Sequence, residues 1–413
     1  MKQGFLSQYF AGVALKRLSA VEASPARSNQ HEFNGVKELK RILGESDGPI
    51  QFPSKFLYLT DDEDRPTVEE GLLTWYDSRQ KARLERGVNR SEYRLYFPSN
   101  LVTGKAAEGD LLVIARLQDN SLLTVVAQRG TTMERQILWL FSAGELNAPG
   151  FAVKDELESE RDRLGFAAKM VLEQIGVELE AEAANYLEEM LFRFEGAFPK
   201  TAEFSGYARS TLRDVDSREN PDIALVVWME HEEALFRTLE KHLIGEKLKA
   251  LAQAGFGDTD AVIKIVQSAL QRRKSRAGAA LENHLEQVFR DHQITYSRTP
   301  VTENSLKPDF IFPSISHYRD RTFDAARLTM LAAKSTCKDR WRQILNEAAR
   351  VPNKHLLTLE PSISLGQTAE MQAERVQLVL PESLHATYAP SQRAWLMDVK
   401  GFIGIAQNKQ QRV

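Results

Sequence analysis

Lys307-Pro308-Asp309-Phe310-Ile311-Phe312 and, further on, Leu328-Thr329-Met330-Leu331-Ala332-Ala333-Lys334-Ser335-Thr336-Cys337-Lys338-Asp339-Arg340-Trp341-Arg342-Gln343-Ile344-Leu345-Asn346-Glu347 decide how this chain is read. Phe310 to Phe312 follow a proline and are strand formers, and Leu328 to Ala333 is an apolar run with the length of a buried strand. Asp309 and Lys334 therefore stand at or near the ends of two neighbouring strands. From Asp339 onward the period changes. Trp341, Ile344, Leu345 and Ala348 fall at i, i+3, i+4 and i+7, which predicts one buried stripe of a helix with Asp339 as its N-cap. Arg340, Gln343 and Glu347 share another face of that helix.

The residue types suit the hydrolysis of a phosphodiester. Such a reaction needs a hard divalent cation to polarise the phosphoryl oxygen and to lower the pKa of the attacking water, and Mg²⁺ is held through carboxylate oxygens. Asp309 and Glu347 are the candidate metal ligands. Lys334 is the candidate partner of the attacked phosphate, stabilising its growing charge and orienting or deprotonating the water. Pro-Asp followed by a distant lysine is by itself a weak signal, because Pro-Asp also opens turns and strands. The acid that usually stands two residues before the lysine is replaced here by Ala332, and Glu347 supplies a carboxylate from the following element instead.

The run Arg272-Arg273-Lys274-Ser275-Arg276-Ala277-Gly278, the Lys307 to Phe310 strand and above all Thr336 to Ala348 closely resemble the C-terminal half of the EcoRII restriction endonuclease family. The resemblance spans about the last half of the chain and takes in Phe312-Pro313-Ser314, Leu356-Leu357-Thr358-Leu359 and Pro381-Glu382-Ser383-Leu384-His385. It implies an α/β catalytic domain of the PD-(D/E)xK restriction-endonuclease type, a mixed sheet flanked by helices. The implied activity is that of a type II restriction endonuclease: Mg²⁺-dependent cleavage of both strands of duplex DNA at a short site with CC and GG ends. By resemblance Asp309 and Lys334 match the catalytic aspartate and lysine, Glu347 the displaced carboxylate, and Lys338 a lysine with an active-site role. Lys338-Asp339-Arg340 match a triplet that reads the C:G pairs. That fits the chemistry of Lys and Arg donating to guanine O6 and N7 while Asp accepts from cytosine N4. Glu282 matches a glutamate near the active site.

Four basic side chains in five residues, Arg272, Arg273, Lys274 and Arg276, are usually a solvated run. Standing ahead of a helix that opens near Leu281, they are expected to grip phosphates. His284 is expected to be a surface or hydrogen-bonded helix residue. Glu230-His231-Glu232-Glu233 only superficially resembles a metal cluster, since no partner ligand stands at fixed spacing, and it is expected to be a solvated helix face. Two apolar runs, His355 to Leu359 and Val376 to Leu380, are expected to extend the sheet. Ala394 to Ile405 is expected to close the chain as an amphipathic helix.

The whole-chain numbers permit this reading without suggesting it. A chain of 413 residues is long enough for two or three domains. With 54 Lys and Arg against 57 Asp and Glu, a net charge of −3 and a pI near 6.3, it is not a broadly basic nucleic-acid coat, so any DNA surface must be local. The single cysteine, Cys337, excludes an internal disulfide and a cysteine-rich zinc site. Placed among site residues it is a conceivable nucleophile, but a small strand-end residue is the plainer reading. No apolar signal region or membrane-length run is present, so a cytoplasmic location is the default expectation.

Three parts are expected: residues 1–150 as a mainly β domain, 151–195 as a helical linker and 196–413 as the catalytic and dimerisation domain. Gln51 to Leu59, Tyr93 to Phe97, Asp110 to Ala115 and Leu122 to Ala127 are short β-rich runs separated by turn residues. Trp75 to Arg83 interleaves aromatic and basic residues, the pattern of a surface that touches phosphates and base edges, or of a solvated hairpin. Lys16-Arg17-Leu18-Ser19-Ala20, His31 and Tyr76-Asp77-Ser78-Arg79 resemble the N-terminal effector domain of the same family. That likeness implies a DNA-binding pseudo-barrel that binds a second copy of the site, with His31 and Arg79 as matched candidate contacts; beyond Arg79 the basic pattern diverges from the family's, and Lys81 and Arg83 are candidates from the basic stretch itself. Two antiparallel strands ask for two active sites, hence a homodimer on double-stranded DNA, and a restriction enzyme implies a cognate cytosine methyltransferase. Two other readings use the same residues: a sequence-specific DNA-binding protein on an inactive nuclease fold, and a repair or recombination nuclease directed by DNA structure.

Overall fold

The computed structural model describes the chain except residues 1, 3, 25–30, 35, 46–47, 64, 87–90, 145, 147–149, 180–185, 213, 254, 256–257 and 412–413, together with the side chains at 82, 83, 86, 338 and 339. It divides into two compact units, one of residues 1–179 with 362–366 and one of 180–361 with 367–413.

The first unit is built on an eight-stranded sheet: β1 (Phe10–Arg17), β2 (Glu32–Phe33), β3 (Ile50–Leu59), β4 (Thr67–Asp77), β5 (Tyr93–Tyr96), β6 (Leu111–Leu117), β7 (Leu122–Ala127) and β8 (Ala152–Lys154). Their order is β2-β5-β4-β3-β7-β6-β1-β8, antiparallel throughout except for the parallel β3–β7 pair. Strict alternation gives the sheet two buried faces. On β6, Leu111, Val113 and Ala115 point one way, to a core shared with helices α2 (Thr132–Leu140) and α3 (Phe166–Gln174), while Leu112 and Ile114 point the other. The short turn at Val36–Leu39 touches β5 near one edge and β8 at the other, so the sheet curls around the second core. That is the expected mainly β pseudo-barrel. Trp75, at the start of the aromatic and basic stretch, is completely buried and stacked on Tyr93. Helix α1 (Gln80–Arg86) follows β4.

The stretch 151–195 is divided between the units. Helix α3 packs on the β-rich core through Ala168, Val171 and Leu172. Helix α4 (Leu187–Arg193) places Met190, with Phe194 just beyond it, in a cluster of the second unit with Phe204 and Tyr207 of α5 (Thr201–Ser210) and Leu235, Phe236 and Leu239 of α6 (Pro221–Gln253).

Helix α7 (Thr259–Asp291) is 33 residues long, so the basic run 272–276 lies in mid-helix rather than ahead of a helix start. Asp258 caps it by accepting from the Ala261 N–H at 2.9 Å. Its last third, through Leu281, Leu285, Val288 and Phe289, covers a five-stranded mixed sheet of β9 (Ser297–Arg298), β10 (Phe310–Phe312), β11 (Thr329–Lys334), β12 (Lys354–Thr358) and β13 (Val376–Val379). Strands β11, β12 and β13 are parallel, and β9 and β10 run against their neighbours. Phe289 meets Phe310 and Phe312 edge to face at 5.2 and 5.1 Å. Helix α8 (Leu365–Ala373) links β12 to β13, and α9 (Val399–Gln411) closes the chain, five residues later than the expected start at Ala394. The buried Asp222 carboxylate at the start of α6 accepts from the N–H groups of Val399 and Lys400, two otherwise orphaned donors of α9, and from that of Glu382.

Candidate active site

Antiparallel pairing of Phe310 with Leu331, continued by one residue, sets Asp309 opposite Ala332. Lys334, two residues on, projects from the same sheet face, so the register alone brings these two side chains together. Asp309 Oδ2 accepts from Lys334 Nζ at 2.9 Å and from the Ala333 N–H at 2.8 Å. The aspartate is 7% exposed, and the lysine keeps about a quarter of its side chain open, enough for a substrate to reach it.

The segment after β11 is a 3-10 helix over Lys338–Asn346, not the α-helix that the 3.6 period predicts. Trp341 and Ile344, three apart, are the buried pair, as a three-residue turn requires, and Leu345 is only half-buried. Cys337, not Asp339, occupies the N-cap position, without a side-chain cap. Glu347 is the C-cap, in extended conformation, so it leaves the helix instead of riding on it. Ala348 follows at φ +49°, and the Lys354 ammonium donates to the carbonyls of Ala348 and Val351 at 3.2 and 2.8 Å, holding that turn.

Burial pushes the Glu347 carboxyl above its ordinary range; Lys334 pulls it back and the Asp309 charge pushes it further. Glu282, on α7, is raised by burial and then by the same Asp309 charge, against the pull of Arg298. Three carboxylates thus share one electrostatic neighbourhood with Lys334. Glu347 Oε2 is buried and has no hydrogen-bond partner, the condition of an oxygen awaiting a cation or a donor. Among the described residues no group of three or more His, Cys, Asp or Glu is placed to cage a metal ion. Two carboxylates suit Mg²⁺, which keeps several waters and takes one or two protein carboxylates plus substrate phosphate.

Cys337 is fully buried and its thiol is pushed far up by burial, so it is no nucleophile. The side chains of Lys338 and Asp339 lie outside the described residues. Arg340 is half-buried, its N–H bonded to the Cys337 carbonyl at 2.7 Å.

The basic run serves the fold more than a surface. Arg276 is 5% exposed, sandwiched between Phe204 and Phe236 at 4.4 Å from each ring, and pairs with Glu232 at 2.7 Å. It is thus an internal cation and not a phosphate contact. Arg273 pairs with the buried Glu240 at 2.5 Å, Arg272 stacks on Phe198 at 3.9 Å, and Lys274 is exposed. Glu232 is correspondingly buried, not solvated. His284 is fully buried; its Nδ1 accepts from Arg209 at 2.9 Å, and its Nε2 stands 3.0 Å from Glu232 Oε2, outside hydrogen-bond angles. Contacts across three helices made these pairings illegible from spacing.

In the first unit, Arg79 pairs with Glu92 at 2.5 Å, and Lys81 stands exposed 4.0 Å from Glu85. His31 is half-buried against Tyr96 and Phe97. The side chain of Arg83 lies outside the described residues. Residues that spacing did not single out are Arg298, Glu286 and Lys354, the charges that hold the site's outer carboxylates and turns.

A mixed sheet with an aspartate at one strand's mouth, a lysine at the end of its antiparallel neighbour and a glutamate just after defines the PD-(D/E)xK class of endonuclease fold. Residues 236–403 match the family model described as EcoRII C terminal. Type II restriction enzyme EcoRII of Escherichia coli is 42% identical over 208 residues, 50% of this chain and 50% of that protein. The chain thus spans about half the length of the curated relative it matches. Among solved structures, metal-depleted Ecl18kI in complex with uncleaved DNA aligns with a TM-score of 0.45 at 17% identity over 55% of this chain and 84% of that one. A complex of restriction endonuclease PspGI with substrate DNA aligns at 0.44 and 16% identity, over 52% of this chain and 95% of that one. No helix of the described residues is long and apolar enough to cross a membrane.

Proposed function

We propose that the protein is a type II restriction endonuclease that hydrolyses one phosphodiester in each strand of duplex DNA at a short site with CC and GG ends. The observation that carries the reading is the Asp309–Lys334 pair beside the unpartnered, buried Glu347 oxygen, within a stretch of EcoRII-family sequence. Asp309 and Glu347 would hold Mg²⁺. Bound there, the ion would polarise the phosphoryl oxygen and acidify the attacking water.

The chain's own residues do the rest. Lys334, anchored by Asp309 on the shared sheet face, offers its remaining N–H donors to the phosphoryl oxygen on which charge accumulates. Held by a strand and an ion pair, that ammonium needs little reorganisation during the reaction. Lys338, Asp339 and Arg340, at the start of the 3-10 helix, are the proposed readers of the outer C:G pairs, and exposed Lys274 a phosphate contact. The protein is proposed to act as a homodimer, one site per strand, and the pseudo-barrel to bind a second DNA site through His31, Arg79, Lys81 and Arg83. A methyltransferase acting on the same sequence would protect the host.

Digestion of unmethylated plasmid with Mg²⁺, followed by sequencing of fragment ends, tests this directly. Discrete ends flanked by CC and GG are expected. Cutting confined to hairpins or nicks would favour a structure-directed nuclease, and specific binding without any cutting would favour a DNA-binding protein on an inactive fold.

A further inference from the structure

One side chain ties helix α7 to the sheet edge beside Asp309 without belonging to the proposed catalytic set. Arg298, on β9, directs one guanidinium nitrogen to Glu282 Oε2 at 3.1 Å and another to Glu286 Oε2 at 2.8 Å. Glu286 is itself fixed, its Oε1 accepting from Arg290 at 2.8 Å and from the Tyr296 hydroxyl at 2.9 Å. The strand that carries Arg298 is equally tied to Asp309. Arg298 pairs in register with Phe310, and the Thr299 N–H donates to the Asp309 carbonyl at 2.8 Å. The backbone of this segment therefore locates Asp309 while its side chain locates Glu282, two carboxylates near enough for the charge of one to act on the other.

We infer that Arg298 is a positioning residue for the cation site: it fixes Glu282 beside Asp309, so that Glu282 adds its charge to the pair Asp309 and Glu347 from outside. This rests on reading the site as cation-dependent. A planar guanidinium bridging two carboxylates is matched in geometry by neither lysine nor a neutral side chain. Outer residues that orient ligands are typically worth about 10- to 100-fold in metal affinity or activity.

The test is a double-mutant cycle read by divalent-ion binding as well as by cleavage. Full-length wild type, Arg298→Met, Glu282→Gln and the double variant are titrated with Mg²⁺ and with Mn²⁺. The rise in melting temperature and the Mn²⁺ paramagnetic signal report binding, and the Mg²⁺ concentration for half-maximal cleavage is measured alongside. Arg298→Met is expected to weaken binding by about tenfold. The double variant is expected to be no worse than Glu282→Gln, because the two residues act as a unit. Arg298→Lys should restore only part of the affinity, since one ammonium cannot hold both carboxylates in a fixed plane. Wild-type ion affinity in a folded Arg298→Met protein, or strictly additive losses, would overturn the assignment while leaving the endonuclease reading intact. Absence of any ion response in the wild type would overturn both.

Discussion

At the Arg276 guanidinium, burial and charge are balanced by neighbours that lie far away in sequence. The ion pair with Glu232 crosses 44 residues, and both partners are almost inaccessible. Removing one member of such a pair strands the other charge, so Arg276→Ala is expected to cost about 3 to 5 kcal/mol in a urea titration. Replacing both by apolar or neutral isosteres should recover much of that. Spacing marks charge and helix face, but it does not show which face a second helix covers. For that reason Glu232 reads as solvated and Arg276 as a phosphate contact until α5, α6 and α7 are packed. Asp309 and Lys334 are legible for the opposite reason: each stands at the end of an apolar run, and a strand pairing of adjacent elements is enough to unite them.

A second residue sets a pH dependence. His355, on β12 beside Phe402, is buried, and that burial lowers its pKa from 6.5 to about 4. Because the folded value lies below the unfolded one, the unfolded chain takes up the proton first as pH falls. The contribution is therefore intact above the unfolded pKa and is lost as pH drops from about 6.5 towards 4. From this residue alone, about 2 kcal/mol of stability should disappear between about pH 7 and about pH 5. His355→Leu should flatten that part of the stability curve, as measured by denaturant unfolding at each pH.

Among elements, the one that differs most from its pattern is Lys338–Asn346. Its apolar residues satisfy a 3.6 period on paper, yet the chain winds as a 3-10 helix that ends with Glu347 extended and Ala348 left-handed. Tertiary demand at the site overrides local period there. Strands β1 and β4 escaped the β-rich runs picked out from sequence. On β4, the first half alternates between half-buried Thr67, Glu69 and Gly71 and exposed Val68, Glu70 and Leu72, an alternation without an apolar side, and burial begins only at Leu73. Helix α9 shows an element specified by a distant residue. Its first N–H groups are satisfied by Asp222, 177 residues earlier for Val399. Asp222→Ala should leave buried donors unpaired and cost about 3 kcal/mol, and hydrogen exchange at Val399 and Lys400 should accelerate.

For the whole molecule, the partition into a curled β sheet and a helix-flanked mixed sheet follows the change from short alternating runs to long helical periods near the middle of the chain. The sheet orders were not legible, because β3 pairs in parallel with β7 across more than sixty intervening residues and nothing local announces it. The division near residue 180 also has a practical consequence. A fragment beginning at Ala197 lacks Met190 and Phe194 and uncovers Phe204, Tyr207 and Phe236, whereas one beginning at Glu180 keeps that cluster whole. The shorter fragment is expected to melt lower, by an amount consistent with about 3 kcal/mol or more for the lost Met and Phe packing, as calorimetry of the two would show.

Asp309 and Lys334 are proposed to perform DNA cleavage rather than merely to stabilise a strand pair. The most direct measurement of that role is the single-turnover rate of duplex cleavage with saturating Mg²⁺ for wild type, Asp309→Ala and Lys334→Ala, alongside the DNA affinity of each in Ca²⁺. Affinities within a few-fold of wild type and cleavage slower by about 10² to 10³-fold or more are expected in both variants. Cleavage at the wild-type rate by either folded variant would contradict it.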